Sequence, residues 1–120
     1  MIEKRDPRLD QLGERERRMA LDFVERLRRR FDGELVSAIL FGSRARGEAS
    51  PESDMDILVI LREAPQDVRR DVRDLATEVW LKHGILLSTR ISSAAHWQEL
   101  EDMQTGFYRN VCREGIRLTS

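Results

Sequence analysis

Between Leu35 and Leu61 two apolar runs flank a short polar turn, and that arrangement leaves the chain few ways to fold. Leu35 to Phe41 (Leu-Val-Ser-Ala-Ile-Leu-Phe) has the length and character of a buried strand. It stops at Gly42-Ser43, where small residues let the backbone approach a ligand closely. The turn from Arg44 to Ser53 carries two arginines, Gly47 and Pro51, and a second strand then runs from Asp54 to Leu61. Side chains two apart on a strand share a face. Asp54 and Asp56 therefore project together, while Met55, Ile57 and Val59 point the other way. Two carboxylates so placed repel, and each raises the other's pKa unless a cation lies between them. Mg²⁺ suits such a pair, being held by one or two carboxylates with substrate phosphates and water completing its shell. Across the cleft, the Ser43 hydroxyl and the backbone N–H groups that follow it are placed to hold a triphosphate.

Other readings of the stretch fit less well. A Walker-type phosphate loop needs Gly-Lys-Ser/Thr after a glycine and four residues, and no such run occurs. An EF-hand loop starting at Asp54 needs glycine and glutamate where Val59 and Pro65 stand. A hairpin whose second strand merely begins with two solvated aspartates would explain a lone Asp-x-Asp. It does not explain Gly-Ser at the matching distance between two apolar strands.

Gly-Ser, ten residues, then Asp-x-Asp resembles the signature of the nucleotidyltransferases of the DNA polymerase β superfamily. With Arg-x-Arg-Gly after Gly-Ser, the chain is most similar to the minimal nucleotidyltransferases, small prokaryotic proteins often paired as antitoxins with HEPN-domain toxins. The resemblance implies an α/β (α+β) polymerase β-like fold, a small mixed sheet with helices packed on one face. It implies Mg²⁺-dependent transfer of AMP from ATP, or of another nucleotide from its NTP, to a tyrosine hydroxyl of the partner toxin. Asp54 and Asp56 would be the catalytic metal ligands; Gly42, Ser43, Arg44, Arg46 and Ser53 would bind nucleotide. One feature departs from the family. Catalytically complete members carry a third carboxylate on the strand beside Asp-x-Asp. Here that strand, Ile85 to Ile91, reads Ile-Leu-Leu-Ser-Thr-Arg-Ile, and no Asp or Glu occurs between Glu78 and Glu99. A partner protein or Glu52 is a source for the missing group. The alternative is a weak or inactive member that neutralises its toxin by binding alone. Transfer to a small antibiotic is disfavoured, because those relatives carry an additional substrate domain.

Elsewhere the pattern is helical. Leu12, Met19, Phe23, Leu27 and Phe31 mark a helix from about Gln11 to Phe31, with Glu14–Arg18, Asp22–Arg26 and Glu25–Arg29 as i,i+4 pairs. Arg28-Arg29-Arg30 reads as a solvated helix face. Pro65 opens a second helix whose apolar side is Val68, Val72, Leu75 and Val79, widened by Ala76 and Trp80, and Gly84 closes it. After the third strand, Ser92 or Ser93 caps a helix whose Trp97, Leu100 and Met103 pack on the sheet. Gly106 breaks it, a short helix ends at Gly115, and Ile116 to Leu118 adds an edge strand. His83 and His96 stand alone and have no metal role; Cys112 is a packing residue.

At 120 residues the chain is expected to be a single domain, 1-120, with residues 1–10 loosely ordered. A net charge of −1 argues against general nucleic-acid binding. The single cysteine suits a reducing cytoplasm, and no apolar run reaches membrane-spanning length. No stretch suggests a domain for recognising an acceptor, which points to a protein partner or a homo-oligomer.

Overall fold

The computed structural model describes residues 6–47 and 54–119. Its sheet has the strand order β3-β2-β1-β4. Strand β1 (Leu35–Phe41) runs antiparallel to both β2 (Met55–Leu61) and the short edge strand β4 (Ile116–Arg117). Strand β3 (Leu87–Ser93) is parallel to β2. A parallel neighbour demands a crossover, and the 18-residue helix α3 (Gln66–His83) supplies it. The expected mixed sheet is present.

Helix α1 (Glu14–Arg30) and α3 lie together on one face. Met19, Phe23 and Leu27 of α1 and Val72, Ala76 and Val79 of α3 are buried there with Met55, Ile57, Val59 and Leu61 of β2. Burying each large apolar side chain contributes about 1.5–3 kcal/mol, so this layer dominates stability. Helices were expected on one face only, but Leu58 and Ile60 make the other face of β2 apolar as well, and it carries a smaller cluster. Leu58 and Ile60 meet Val111, Phe107 and Trp97 from the short helices α4 (Ala94–Asp102) and α5 (Gly106–Glu114). Phe41 and Phe107 meet edge to face, with centroids 5.5 Å apart.

Charged side chains clamp α1 to α3. Arg26 bonds Asp22 and Glu78, each at 2.9 Å, and Arg30 pairs with Asp71 at 2.5 Å. The three i,i+4 pairs expected along α1 are all formed. His83 Nε2 lies 2.8 Å from Asp22 Oδ2, so this histidine ties the end of α3 to the middle of α1. Burial works to raise the Asp22 carboxyl, but hydrogen bonds to His83 and Arg26 outweigh it and hold it at about 2. A depressed carboxyl stabilises the fold above its unfolded value of 3.8 and loses that contribution as pH falls through about 2. Asp22→Asn is therefore expected to cost about 2 kcal/mol at neutral pH. In urea titrations that difference should shrink toward zero in strong acid.

Several elements differ from expectation. Residues Pro7–Gln11 form a 3-10 helix whose cap, the Asp6 carboxylate, accepts the Arg8 N–H at 2.9 Å, and Leu9 is buried beneath it. Helix α1 starts at Glu14 rather than Gln11, because the Glu16 carboxylate accepts the Gly13 N–H at 3.1 Å and sets the first turn. Strand β3 begins two residues later than expected, and Ser93, at its end, caps α4 by accepting the His96 N–H. Cys112 is exposed, since the neighbouring Val111 takes the buried side of α5. Met103 is 72% exposed because α4 ends before it, and Trp80 lies on the outer edge of its helix face.

Candidate active site

The site forms where β1 hands over to a single helical turn. Gly42 has φ +81° and ψ −159°, a region open essentially to glycine alone. A Cβ built on it would lie 2.5 Å from Asp56 Oδ2. The carboxylate thus occupies the space a side chain would take, and the absence of one brings the turn against Asp56. Helix α2 (Ser43–Arg46) follows, and Gly47 closes it in the left-handed conformation. Ser43 is the first helical residue and half-buried. In a first turn the N–H groups lack intrahelical acceptors.

Asp56 sits on a rung of the sheet between Phe41 of β1 and Ser88 of β3. The alternation that buries Met55, Ile57 and Val59 turns it to the opposite face. Asp54 lies two residues earlier and is also half-buried. Burial first, and then the charge of Asp54, push the Asp56 carboxyl up; Arg90 works against them. A carboxyl whose protonation is raised by burial and by a second carboxylate beside it is half of an oxygen donor set suited to a hard cation. Among the described residues no third His, Cys, Asp or Glu joins them as a metal cluster.

The two arginines of the turn face away from each other. Arg44 is 9% exposed, and its guanidinium meets Glu16 Oε2 at 2.7 Å. That contact anchors α2 to the first turn of α1. Arg46 reaches Glu114 at the end of α5, 3.2 Å away. Ser53 and Glu52 lie outside the described residues. Glu16 and Glu114 were not visible as site residues in the sequence, since each lies far from the motif and only the fold brings it there. Glu16→Gln keeps the size and the Gly13 bond while weakening the contact with Arg44. It is expected to cost about 2 kcal/mol, the worth of a charged hydrogen bond. Nucleotide affinity should fall with it, which titration calorimetry with ATP would measure.

The family described as Nucleotidyltransferase domain matches residues 21–104, which span the turn, both aspartates and β3. The chain belongs to that family. A protein of Methanocaldococcus jannaschii named "Putative protein adenylyltransferase MJ0604" is 37% identical over 95 residues, covering 78% of this chain and 88% of the relative. A second protein of that organism, "Putative protein adenylyltransferase MJ1305", is 39% identical over 70 residues, covering 56% of this chain and 48% of its own. Among solved structures, a toxin–antitoxin crystallised with AMP-PNP superposes with a TM-score of 0.54 at 21% identity, over 82% of this chain and 71% of the other. A nucleotidyltransferase structure from Sulfolobus solfataricus gives 0.52 at 20% identity, over 83% and 76%. At these identities the superpositions establish the fold. The chain is a nucleotidyltransferase enzyme with the expected mixed α/β fold.

In this nucleotidyltransferase the strand beside Asp-x-Asp carries no acid. Ser88 holds the rung next to Asp56, and Arg90 the rung next to Leu58. No helix among the described residues is long and apolar enough to cross a membrane.

Proposed function

We propose that the chain is an Mg²⁺-dependent protein adenylyltransferase. It moves AMP from ATP to a hydroxyl of a partner protein, a HEPN-domain toxin that it thereby neutralises in the cytoplasm. The observation that carries this reading is the packing of Gly42 against Asp56, which sets the first turn of α2 directly beside a carboxylate pair. The names of the M. jannaschii relatives support a protein as acceptor. A structural neighbour solved as a toxin–antitoxin with AMP-PNP supports both the nucleotide and the toxin partner.

On this reading Gly42 and Ser43, with the N–H groups of α2, hold the β- and γ-phosphates, and Arg46 and Ser53 assist. Arg44, turned to Glu16, keeps the turn in place beneath them. Asp54 and Asp56 hold Mg²⁺, to which their paired oxygens are suited. When bound, the ion supplies charge neutralisation for the phosphates and the departing pyrophosphate. The acceptor oxygen attacks the α-phosphorus, and pyrophosphate leaves. Positioning and charge neutralisation carry most of such a reaction, so the protein needs little covalent machinery of its own.

The acid-free β3 favours a second reading, in which the protein silences its toxin by contact alone. The two separate in one experiment, with α-labelled ATP, Mg²⁺ and a lysate of the source organism resolved on a denaturing gel. A protease-sensitive labelled band with the wild type, absent with the Asp54→Asn/Asp56→Asn double variant, is the expected result. No band with the wild type while ATP stays intact overturns the transferase reading in favour of contact.

A further inference from the structure

Asp56 has two neighbours of opposite character. On its β1 side lies the turn at Gly42 and Ser43; on its β3 side lie Ser88 and, one rung further along the same face, Arg90. Arg90 is exposed, and its guanidinium carbon stands 5.0 Å from the centroid of the Phe107 ring. Its charge also reaches Asp56, where it opposes the effects of burial and Asp54. Beside it, Leu58, Trp97, Leu100 and Phe107 wall a cavity of about 250 Å³ whose lining also includes Arg90 and His96. Small-molecule sites typically fill ~300–1,000 Å³, so this cavity matches a single side chain better than a nucleotide.

Displacement at phosphorus runs in line, with the nucleophile entering opposite the leaving group. A triphosphate whose β- and γ-phosphates rest at Gly42 and Ser43 leaves the β3 side of Asp56 for the acceptor. There the family's third carboxylate is missing and a permanent cation is present. We propose that Arg90 is a catalytic residue that binds the acceptor oxygen and stabilises the negative charge developing on it, while the adjoining cavity takes the acceptor's side chain. This rests on the transfer proposed above.

A guanidinium stays charged at every working pH. It favours the deprotonated form of a neighbouring hydroxyl, and a phenol, with an ordinary pKa of about 10, lies within its reach. In the step, the acceptor O–H gives its proton to solvent water. The oxygen's electron pair forms the bond to the α-phosphorus, and the Pα–O bond to the β-phosphate breaks with its pair leaving on pyrophosphate. Among the described residues, the charged or titratable groups beside Arg90 include Asp56 from β2, whose carboxyl feels its charge, and His96 from α4, which lines the same cavity and lies 3.6 Å from Glu99.

A purely structural Arg90, stacked on Phe107 to hold α5, would change stability but not the pH at which the reaction switches on. The test is the initial rate of labelling of the lysate protein from α-labelled ATP, followed from about pH 6 to about pH 10. In the wild type the rate should rise with pH and level off well below the ordinary phenol value. In Arg90→Gln the rising limb should move up by at least about one unit. Its rate should be about tenfold or more lower at neutral pH and converge on the wild type in alkali. Arg90→Lys, which keeps the charge without the fork, should fall between them. His96→Gln should leave the position of the limb unchanged, whatever it does to its height. A limb in Arg90→Gln that coincides with the wild type overturns the role of Arg90 and leaves the transferase reading intact. No label with the wild type overturns both.

Discussion

Asp56→Asn is expected to abolish nucleotidyl transfer and, in the same protein, to raise stability when no metal is present. On the proposed function, the loss follows from removing one of the two carboxylates that would hold the cation. It should reach roughly a thousandfold, about 4 kcal/mol of transition-state stabilisation. The gain follows from the direction of the pKa shift. Burial and Asp54 raise the Asp56 carboxyl in the folded protein above its unfolded value of 3.8. The folded state therefore binds the proton more tightly, and this contribution to stability is fully present below 3.8 and lost as pH rises through the folded value. At neutral pH the metal-free enzyme carries the whole penalty, and asparagine carries none. Thermal unfolding in EDTA should place the variant above the wild type at neutral pH and level with it in acid. Adding Mg²⁺ should reverse the neutral-pH order, since only the wild type gains from binding. A variant no more stable than the wild type in EDTA would contradict the assigned electrostatics.

Gly42→Ala should be among the most damaging changes of one methyl group at the described residues, and it strikes the site directly. At φ +81° and ψ −159° an alanine is strained by about 1–3 kcal/mol. The new Cβ would also stand 2.5 Å from Asp56 Oδ2. The backbone has no easy retreat, since Asp56 is on a central strand and Gly42 caps α2, so the Asp56 carboxylate must swing aside. Overpacking of that kind adds about 1–3 kcal/mol, so a total near 4 kcal/mol is expected in urea unfolding. The change pushes the carboxylate away from the turn, and Mg²⁺-dependent ATP binding should be lost along with the stability. Gly47→Ala is a useful contrast. Gly47 also has positive φ, but no atom of the described residues lies within 4 Å of its Cβ position, so among them only the backbone strain applies.

What the sequence disclosed here was periodicity and punctuation. β1 was legible to its last residue because an uninterrupted apolar run ends at a glycine, and α3 because Pro65 and Gly84 bracket one clean apolar face. The carboxylates stood out through the two-residue repeat of a strand. Long-range partners could not be read in this way. Glu16 looks like any first-turn glutamate until the fold brings Arg44 onto it, and Arg90 looks like an ordinary surface cation until β3 is registered on β2. Cys112 and Met103 were misjudged as packing residues because an amphipathic pattern does not tell which flank of a short helix the sheet will cover.

The two faces of β2 have a consequence for how the chain avoids folding wrongly. Met55, Ile57 and Val59 point into the core, while Asp56 points out and Asp54 precedes it. A slip of β2 by one residue against β1 would reverse every side chain. Two carboxylates would then enter the apolar layer between the sheet and α1, where an unpaired charge is far too costly to survive. A mispaired hairpin of this sequence thus has no compact state in which to rest. The two aspartates, whatever they do once nucleotide is bound, thus act beforehand as proofreaders of the chain's own strand alignment.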